Sequence, residues 1–204
     1  MLRYQREDGR EPFTEWLNGL RDLTAQARIR VRLNHLTLGN FGDCEPVGEG
    51  VLELRVHVGP GYRVYCARHG RAVVLLLTGG QAGQGIVGGV EAEATMKKFK
   101  ASRSHHAAEI AELAVNRELA MEYLKAALQS LEDPDDRAAG LLALRTVAEA
   151  YGGLGAVAAE AGISRESLYR ALSPKGNPTL KTLVAVLKTV GLRLSVEPET
   201  RIHA

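Results

Sequence analysis

Residues 154–172 read LGAVAAEAGISRESLYRAL, and this stretch decides the fold of the second half of the chain. Small Ala158 lets two helices cross closely, and Gly162 permits a tight turn between them. Ile163 and Leu168 are placed to fill the angle between the helices, and Ser164 is a good N-cap for the second one. The pattern predicts a helix-turn-helix, with a generic helical hairpin as the alternative.

The second of these helices is expected to contact DNA, because its exposed positions carry polar side chains. Serine hydroxyls and backbone amides at a helix start suit phosphates, and arginines reach guanine edges or phosphates. A tyrosine can reach the DNA backbone or a thymine methyl group. The candidate DNA-binding residues of this helix and of the loop after it are Ser164, Arg165, Glu166, Ser167, Tyr169, Arg170, Lys175 and Asn177.

The rest of the second half, from Asn116 onward, shows helical periodicity. Asn116 is a good N-cap, and the Asp-Pro-Asp-Asp segment at 133–136 is expected to end that helix and cap the next. A last helix is predicted at 179–190, capped by its first residue. Its inward-facing residues are predicted to be Leu180, Leu183, Val184 and Leu187. Residues 192–196 are predicted to form a short strand.

The first half of the chain begins with two predicted helices. Pro12 suits a first helical position, and large apolar residues follow it at helical spacing, namely Phe13, Trp16, Leu17 and Leu20. A second helix is predicted at about 24–38. Its apolar stripe consists of Ala25, Ile29, Leu33 and Leu36. Arg28, Arg30 and Arg32 fall largely outside this stripe.

The periodicity then changes to two, which is typical of strands. Apolar and polar residues alternate at 52–58, and a Gly-Pro-Gly turn separates this segment from a second strand at 62–68. The continuous apolar run at 72–78 predicts a central strand. The first half is therefore expected to be an α+β unit, with two helices followed by an antiparallel sheet.

One polar face of the predicted sheet carries Arg55, Arg63 and Tyr65. Arginine can hold a phosphate through two parallel hydrogen bonds, and a neighbouring tyrosine can stack on a base or donate a proton. This face is a candidate RNA surface. The alternative is an ordinary solvated face on which Glu53 pairs with an arginine of the adjacent strand.

The two halves are separated by a glycine-rich stretch. Residues 79–89 contain six glycines, a density typical of a flexible linker, with a long surface loop inside one domain as the alternative. Residues 101–106 form a second loose stretch, and 90–100 form a possible short helix between the two. All lysines of the chain follow residue 96, which also suggests two units of different origin. The predicted organisation is a domain at 1–80, a linker at 81–106, a helical domain at 107–196 with the helix-turn-helix at 154–172, and a tail at 197–204.

The first half resembles the RelE/ParE toxin superfamily, and within it the HigB-like addiction module killer branch. The matching segments are GVLELR at 50–55, GPGYRVY at 59–65, VLLLTGG at 74–80, WLNGLRD at 16–22 and LGN at 38–40. The resemblance covers roughly residues 3–80. It implies an mRNA endoribonuclease that acts on the ribosome, in which Arg55 and Arg63 bind phosphate and Tyr65 assists.

The first half departs from the superfamily pattern in two places. Glu45 stands before Pro46, where superfamily members commonly carry a lysine, and Gly79-Gly80 runs into Gln81 rather than into a polar Asp-Lys-Ser end. A carboxylate opposes the binding of a polyanion, and the missing basic tail removes charge that would stabilise the transition state. We therefore expect impaired nuclease activity.

The second half resembles the HigA-like addiction module antidotes of the XRE/Cro superfamily. The matching segments are EYLKAAL at 122–128, SRESLYRALS at 164–173 and GNP at 176–178. The resemblance covers about residues 96–196. It implies a protein that binds its cognate toxin and represses its own operon, usually as a dimer.

Composition is that of a globular protein, with 204 residues, 45% hydrophobic residues, 25% charged residues and a net charge of +2. Cys44 and Cys66 form neither a CxxC pair nor a four-ligand zinc site, so we expect no metal or other cofactor. No apolar run approaches the length of a membrane helix, and the N-terminus lacks the pattern of a signal peptide. We expect a cytoplasmic protein that does not bind membranes.

These observations predict a fused toxin–antitoxin protein, toxin first. Its expected function is sequence-specific binding of operator DNA, with operon autorepression and neutralisation of the first half. The alternative is a latent ribosome-dependent mRNA endonuclease released by linker cleavage, and a third interpretation is a toxin remnant that serves only in dimerisation or docking. We expect a homodimer. Contact between the halves within one chain or between chains stays open at this stage.

Overall fold

The computed structural model describes residues 1–48, 50–69, 73–83 and 102–195, which form an N-terminal sheet and a helical C-terminal part. The strands are β1 Leu2–Tyr4, β2 Cys44–Gly48, β3 Val51–Val56, β4 Tyr62–His69, β5 Val73–Gln81 and β6 Ser102–Ser104. The helices are α1 Pro12–Gly19, α2 Leu23–Thr37, α3 His105–Val115, α4 Arg117–Ser130, α5 Arg137–Ala150, α6 Gly153–Ala161, α7 Arg165–Ala171 and α8 Leu180–Thr189. No helix in these ranges has the length and apolarity needed to cross a bilayer.

The sheet has the strand order β2-β3-β4-β5-β1-β6. Strands β2 to β5 pair antiparallel in sequence, which confirms the predicted order of two helices followed by an antiparallel meander. The sheet continues through β1, which is parallel to β5, and β6, which is antiparallel to β1. Neither strand could be predicted, because three residues are too few to show alternation.

Regular structure extends into both edges of the region that its composition suggested to be loose. Gly79, Gly80 and Gln81 belong to β5, and the stretch after residue 101 forms β6 and the first turn of α3. A Cβ atom at Gly79 would lie 2.2 Å from the ring of Trp16, so this glycine is required by close packing of α1 on the sheet. Residues 84–100, which include the predicted short helix, lie outside the described residues.

One face of the sheet packs against α1 and α2. The predicted apolar residues of both helices contribute to this core, and the stripe of α2 is buried throughout. Tyr62, Val64 and Cys66 point into the same core, whereas Tyr65 belongs to a separate cluster with Val51. Tyr65 therefore lies on the opposite face of β4 from these three residues.

The helical part is defined by caps that the sequence predicted. The side chains of Asn116, Ser164 and Thr179 accept hydrogen bonds from backbone amides three residues later, at 3.0, 3.0 and 3.3 Å. Asp136 also precedes a helix, but its side chain makes no capping bond. Its carboxylate instead lies 3.2 Å from His35 Nε2 of α2, which corrects the predicted cap.

The helical part differs from the sequence predictions in three further places. Helix α3 was not predicted. Leu180 was expected to face inward but is 66% exposed, because it is the first residue of α8 and lies beyond the core contacts of that helix. Residues 192–195 contain no strand, and residue 196 lies outside the described ranges.

The two parts of the chain share a core along α2. Ala27 and Val31 of this helix lie among the buried residues of the C-terminal helices. Asn34 donates hydrogen bonds to the hydroxyl of Tyr123 at 3.0 Å and to the carbonyl of Ala139 at 3.2 Å. Helix α2 therefore has two buried faces, one toward the sheet and one toward the C-terminal helices.

Candidate functional site

Helices α6 and α7 meet at a short turn. Gly162 has a φ of +63°, a left-handed conformation that favours glycine, and it ends α6. Ser164 begins α7 by accepting the amide hydrogen of Ser167, and its hydroxyl donates to the hydroxyl of Ser167 at 2.9 Å. Leu168 is fully buried between the helices. The sequence therefore fixes α7 by one cap and one apolar anchor.

Most of the remaining residues of α7 are exposed. Arg165, Glu166 and Arg170 are exposed, Tyr169 is 47% exposed, and Ser167 is half-buried. In the loop after α7, Lys175 is exposed, and Asn177 accepts a hydrogen bond from Arg137 Nη2 at 3.0 Å. The predicted DNA-binding residues thus lie on α7 and on a loop that Arg137 ties to α5.

A second predicted site lies on the sheet. We call Glu53, Arg55, Arg63 and Tyr65 the sheet-face cluster. Arg55 is paired with Arg63 across β3 and β4, and Glu53 is paired with Tyr65. Glu53 lies at the centre, since Arg63 Nε is 3.0 Å from its Oε1 and the Tyr65 hydroxyl donates to its Oε2 at 3.0 Å. The structure thus brings the three predicted residues together around a carboxylate.

Charges within the sheet-face cluster are compensated locally. Arg55 pairs with Glu45 on β2, and its Nη1 also lies 3.6 Å from Asp43. Burial and the hydrogen bond to Glu53 raise the pKa of Tyr65 to about 12. Tyr65 is therefore protonated at neutral pH and donates its hydrogen to Glu53.

A third cluster, which the sequence analysis did not predict, joins the two parts of the chain. We call Arg3, Arg30, His105, Glu109 and Glu112 the junction cluster. Both arginines are fully buried and share Glu112, whose Oε2 lies 3.1 Å from Arg3 Nη2 and 2.8 Å from Arg30 Nη1. Arg3 Nε donates to His105 Nδ1 at 3.0 Å. Strand β1, helix α2 and helix α3 are thereby held together.

Protonation in the junction cluster follows from burial and charge. Burial and the neighbouring charge of Arg3 keep the pKa of His105 well below its usual value, so its ring is neutral. Burial opposes ionisation of Glu112, but the hydrogen bond from Arg3 and the charge of Arg30 lower the pKa of this carboxyl overall. Glu112 is therefore the anion that compensates the buried arginines.

The sequence of α2 contains a pattern that could have indicated the junction cluster. Gln26, Arg30 and Asn34 recur every four residues beside Ala27 and Val31, which is the spacing of a second helix face. The acidic partners lie in α3, a helix that was not predicted. Among the described residues, no group of three His, Cys, Asp or Glu side chains is placed to hold a metal ion.

Comparison with known proteins places the C-terminal part in a family. Residues 105–198 match the family described as probable addiction module antidote protein, and the match begins at the first residue of α3. A Haemophilus influenzae protein, described as uncharacterized, is 46% identical over 68 residues, which are 33% of this chain and 69% of that relative. A second uncharacterized protein of the same organism is 51% identical over 41 residues, which are 20% of this chain and 42% of the relative. No solved structure matches the chain significantly. Through residues 105–198, this chain belongs to the family of probable addiction module antidote proteins.

Proposed function

We propose that this protein is a self-neutralised toxin–antitoxin module in one chain. Family membership supports a toxin–antitoxin role and a toxin partner for the C-terminal part. In this proposal α6 and α7 are a helix-turn-helix that binds operator DNA, and the N-terminal part is a RelE/HigB-like domain held in cis. The observation that supports this proposal most is that the C-terminal part uses two different surfaces. Its helices α4 and α5 pack on α2, whereas α7 exposes its polar face to solvent.

The exposed face of α7 supports DNA binding by its chemistry. Arg165 and Arg170 are exposed and long enough to reach phosphates or guanine edges. Ser164 and Ser167 lie at the start of the helix, where hydroxyls and backbone amides suit phosphates. Lys175 adds positive charge in the following loop. These residues remain outside the contact with the N-terminal part, so DNA and that part do not compete for them.

Cis neutralisation is supported by the contact between the parts. Besides the junction cluster, Arg28 donates to Gln129 at 2.7 Å and Thr24 donates to Glu122 at 3.1 Å, both from α2 to α4. Tethering raises the effective concentration of one part for the other to about millimolar, so a weak interface is enough to keep them associated. We propose that the same contact holds the N-terminal part inactive.

DNA binding is tested by fluorescence anisotropy with DNA from immediately upstream of the gene. We expect specific binding by the full chain, with random DNA competing much less well than the upstream DNA. The double variant Arg165→Ala/Arg170→Ala should bind at least about tenfold more weakly, because each lost contact to a base or a phosphate is worth about 1–3 kcal/mol. Arg21→Ala/Arg193→Ala, which removes two exposed arginines outside α7 and the loop that follows it, is the matched control and should bind normally. Equal competition by specific and random DNA would contradict the proposal.

A second candidate function is a latent mRNA endonuclease, and it is favoured by the assembly of Arg55, Arg63 and Tyr65 on one face. Within the described ranges, the ion-pair partners of this cluster all come from the N-terminal part, namely Asp43, Glu45 and Glu53. These carboxylates compete with a phosphate for both arginines. In this proposal the endonuclease activity is weak even when the two parts separate. If that activity is absent altogether, the N-terminal part serves only in docking.

This candidate is tested in cells with the full chain. Glu112→Lys places a third cation beside Arg3 and Arg30 and should open the junction. New RNA 5′ ends and slower growth with this variant, but not with Glu112→Lys/Arg63→Ala, would support the endonuclease. If the two variants give the same RNA ends and growth while both accumulate as soluble protein, the docking-only role is favoured.

A further inference from the structure

Tyr169 of α7 is held by a side chain from outside the helix pair. The guanidinium carbon of Arg145 on α5 lies 4.2 Å from the centre of the Tyr169 ring, within the range of a cation–π contact. Arg145 covers one side of the ring, while the residue keeps 47% of its surface exposed. The ring that is proposed to meet DNA therefore has one side fixed and one side available.

Arg145 is in turn fixed by Glu149. Its Nε donates to Glu149 Oε1 at 2.9 Å, one turn further along α5. The other carboxylate oxygen, Oε2, lies 2.7 Å from His106 Nε2 of α3. Each oxygen of Glu149 thus has its own partner, and the carboxylate cannot turn toward one partner without weakening its bond to the other.

His106 links this chain of contacts to the junction between the parts. It is the second residue of α3, directly after His105 of the junction cluster. It lines a cavity of about 310 Å³ together with Met1 and Asn34 of the N-terminal part and Arg145 of α5. Because the His106 side chain is 52% exposed, it can exchange protons with solvent.

We propose that His106, Glu149 and Arg145 form a relay that positions Tyr169 for DNA binding and makes that binding depend on the protonation of His106. Arg145 and Glu149 are positioning residues, since they act through the ring of Tyr169. The consequence for DNA rests on the proposed function, whereas the relay itself is a property of the free protein. Protonated His106 holds Glu149 in place, and Glu149 then presents Oε1 to Arg145.

The charges around His106 define the sign of the pH dependence. His106 faces Glu149 and Arg145 from α5 and Glu109 from its own helix, and Met1 lies across the cavity. The hydrogen bond with Glu149 raises the pKa of His106, so its protonated form persists toward neutral pH. DNA affinity should therefore fall as pH rises through the pKa of His106.

The DNA arm of the test is a double-mutant cycle on the full chain with upstream DNA. Arg145→Lys keeps the charge but loses the planar stack and the Nε hydrogen bond, and we expect about fivefold weaker binding. The same change in a Tyr169→Ala background should have almost no further effect. Additive effects would overturn the relay, because they would mean that Arg145 acts on DNA by itself. Arg193→Ala, an exposed arginine of the same part, is the control and should not couple to Tyr169.

The second arm needs no DNA. Ring resonances of ¹³C-labelled tyrosine, assigned with Tyr169→Phe, should shift as His106 titrates in the unmodified chain and stop doing so in His106→Gln and Glu149→Gln. A Tyr169 signal that does not respond to His106 would overturn the relay. If the signal responds but no DNA is bound specifically, the relay stands and the proposed function fails. Thermal unfolding of each variant identifies any change that acts only through loss of folding.

Discussion

Arginine and glutamate form two clusters in this protein, and the clusters differ chiefly in burial. In the junction cluster, Arg3 and Arg30 are fully buried. In the sheet-face cluster, the side chains of Arg55 and Arg63 are 29% and 21% exposed. The same residue types therefore join two parts of the chain at one place and are partly exposed to solvent at the other.

Burial changes how much each ion pair contributes to the stability of the folded protein. An exposed ion pair contributes between zero and about 1 kcal/mol, since water and salt screen it. A buried pair is weak evidence for net stability, but removing one partner leaves an uncompensated charge and costs about 3–5 kcal/mol. The junction cluster should therefore behave as a requirement for docking, and the sheet-face cluster as an adjustable surface.

The largest expected effect is at Arg30. Arg30→Ala leaves Glu109 and Glu112 with one buried cation fewer, and we expect the free energy of unfolding to fall by about 3–5 kcal/mol. Urea unfolding followed by circular dichroism measures the change. Arg21→Ala, which removes an exposed arginine just before the same helix, is the control and should change stability by less than about 1 kcal/mol. Similar losses for both variants would contradict the assignment of the large effect to the buried pair.

A second effect should appear at high pH through Tyr65. Its pKa of about 12 in the folded protein lies above the usual value near 10, so the folded state keeps its proton longer. The resulting stability is present below pH 10 and is lost as pH rises to about 12, by up to about 2–3 kcal/mol. The unfolding free energy of the unmodified chain should therefore fall more steeply from pH 10 to 12 than that of Tyr65→Phe. Tyr169→Phe serves as the control, and a slope in Tyr65→Phe equal to that of the unmodified chain would contradict the prediction.

Glu53→Gln should have a smaller effect. The amide oxygen can still accept one hydrogen bond, but Arg63 and Arg55 lose their shared charge, so we expect a loss of about 1 kcal/mol. Removing the negative charge beside the phenol should also lower the pKa of Tyr65. Ultraviolet titration of tyrosine ionisation, with Tyr65→Phe as the reference, measures this change. A loss as large as that of Arg30→Ala would show that the sheet-face cluster is also a structural requirement.

Salt should produce the smallest change in stability, and it should affect the two clusters differently. Raising sodium chloride to about 1 M shortens the screening length to about 3 Å and should nearly abolish the effect of Arg55→Ala on stability. The effect of Arg30→Ala should persist, because solvent ions do not reach a buried pair. The measurement is urea unfolding of both variants at low and high salt. A strong salt dependence at Arg30 would mean that the junction opens readily to solvent.

Much of the secondary structure could be predicted from local pattern. Helices α1 and α2, strands β3 and β4 and the caps at Asn116, Ser164 and Thr179 follow from periodicity and from side chains that bond to nearby amides. Strands β1 and β6 could not be predicted, because their pairing partners are distant in sequence and each has only three residues. The role of Gly79 could not be predicted either, because composition cannot distinguish a flexible glycine from one required by the close approach of Trp16.

The candidate sites also combine features that could be predicted from local sequence with features that depend on distant residues. The identity of the α7 residues and the grouping of Arg55, Arg63 and Tyr65 followed from sequence spacing. Their partners did not, since Arg145 reaches Tyr169 from another helix and Glu45 reaches Arg55 from a neighbouring strand. By itself, the sequence determined helix periods, caps and strand alternation, because these depend on interactions within a few residues. Only the tertiary structure decided which face of α2 meets the antidote helices and which arginines are buried, because burial and pairing of charges depend on groups far apart in the chain.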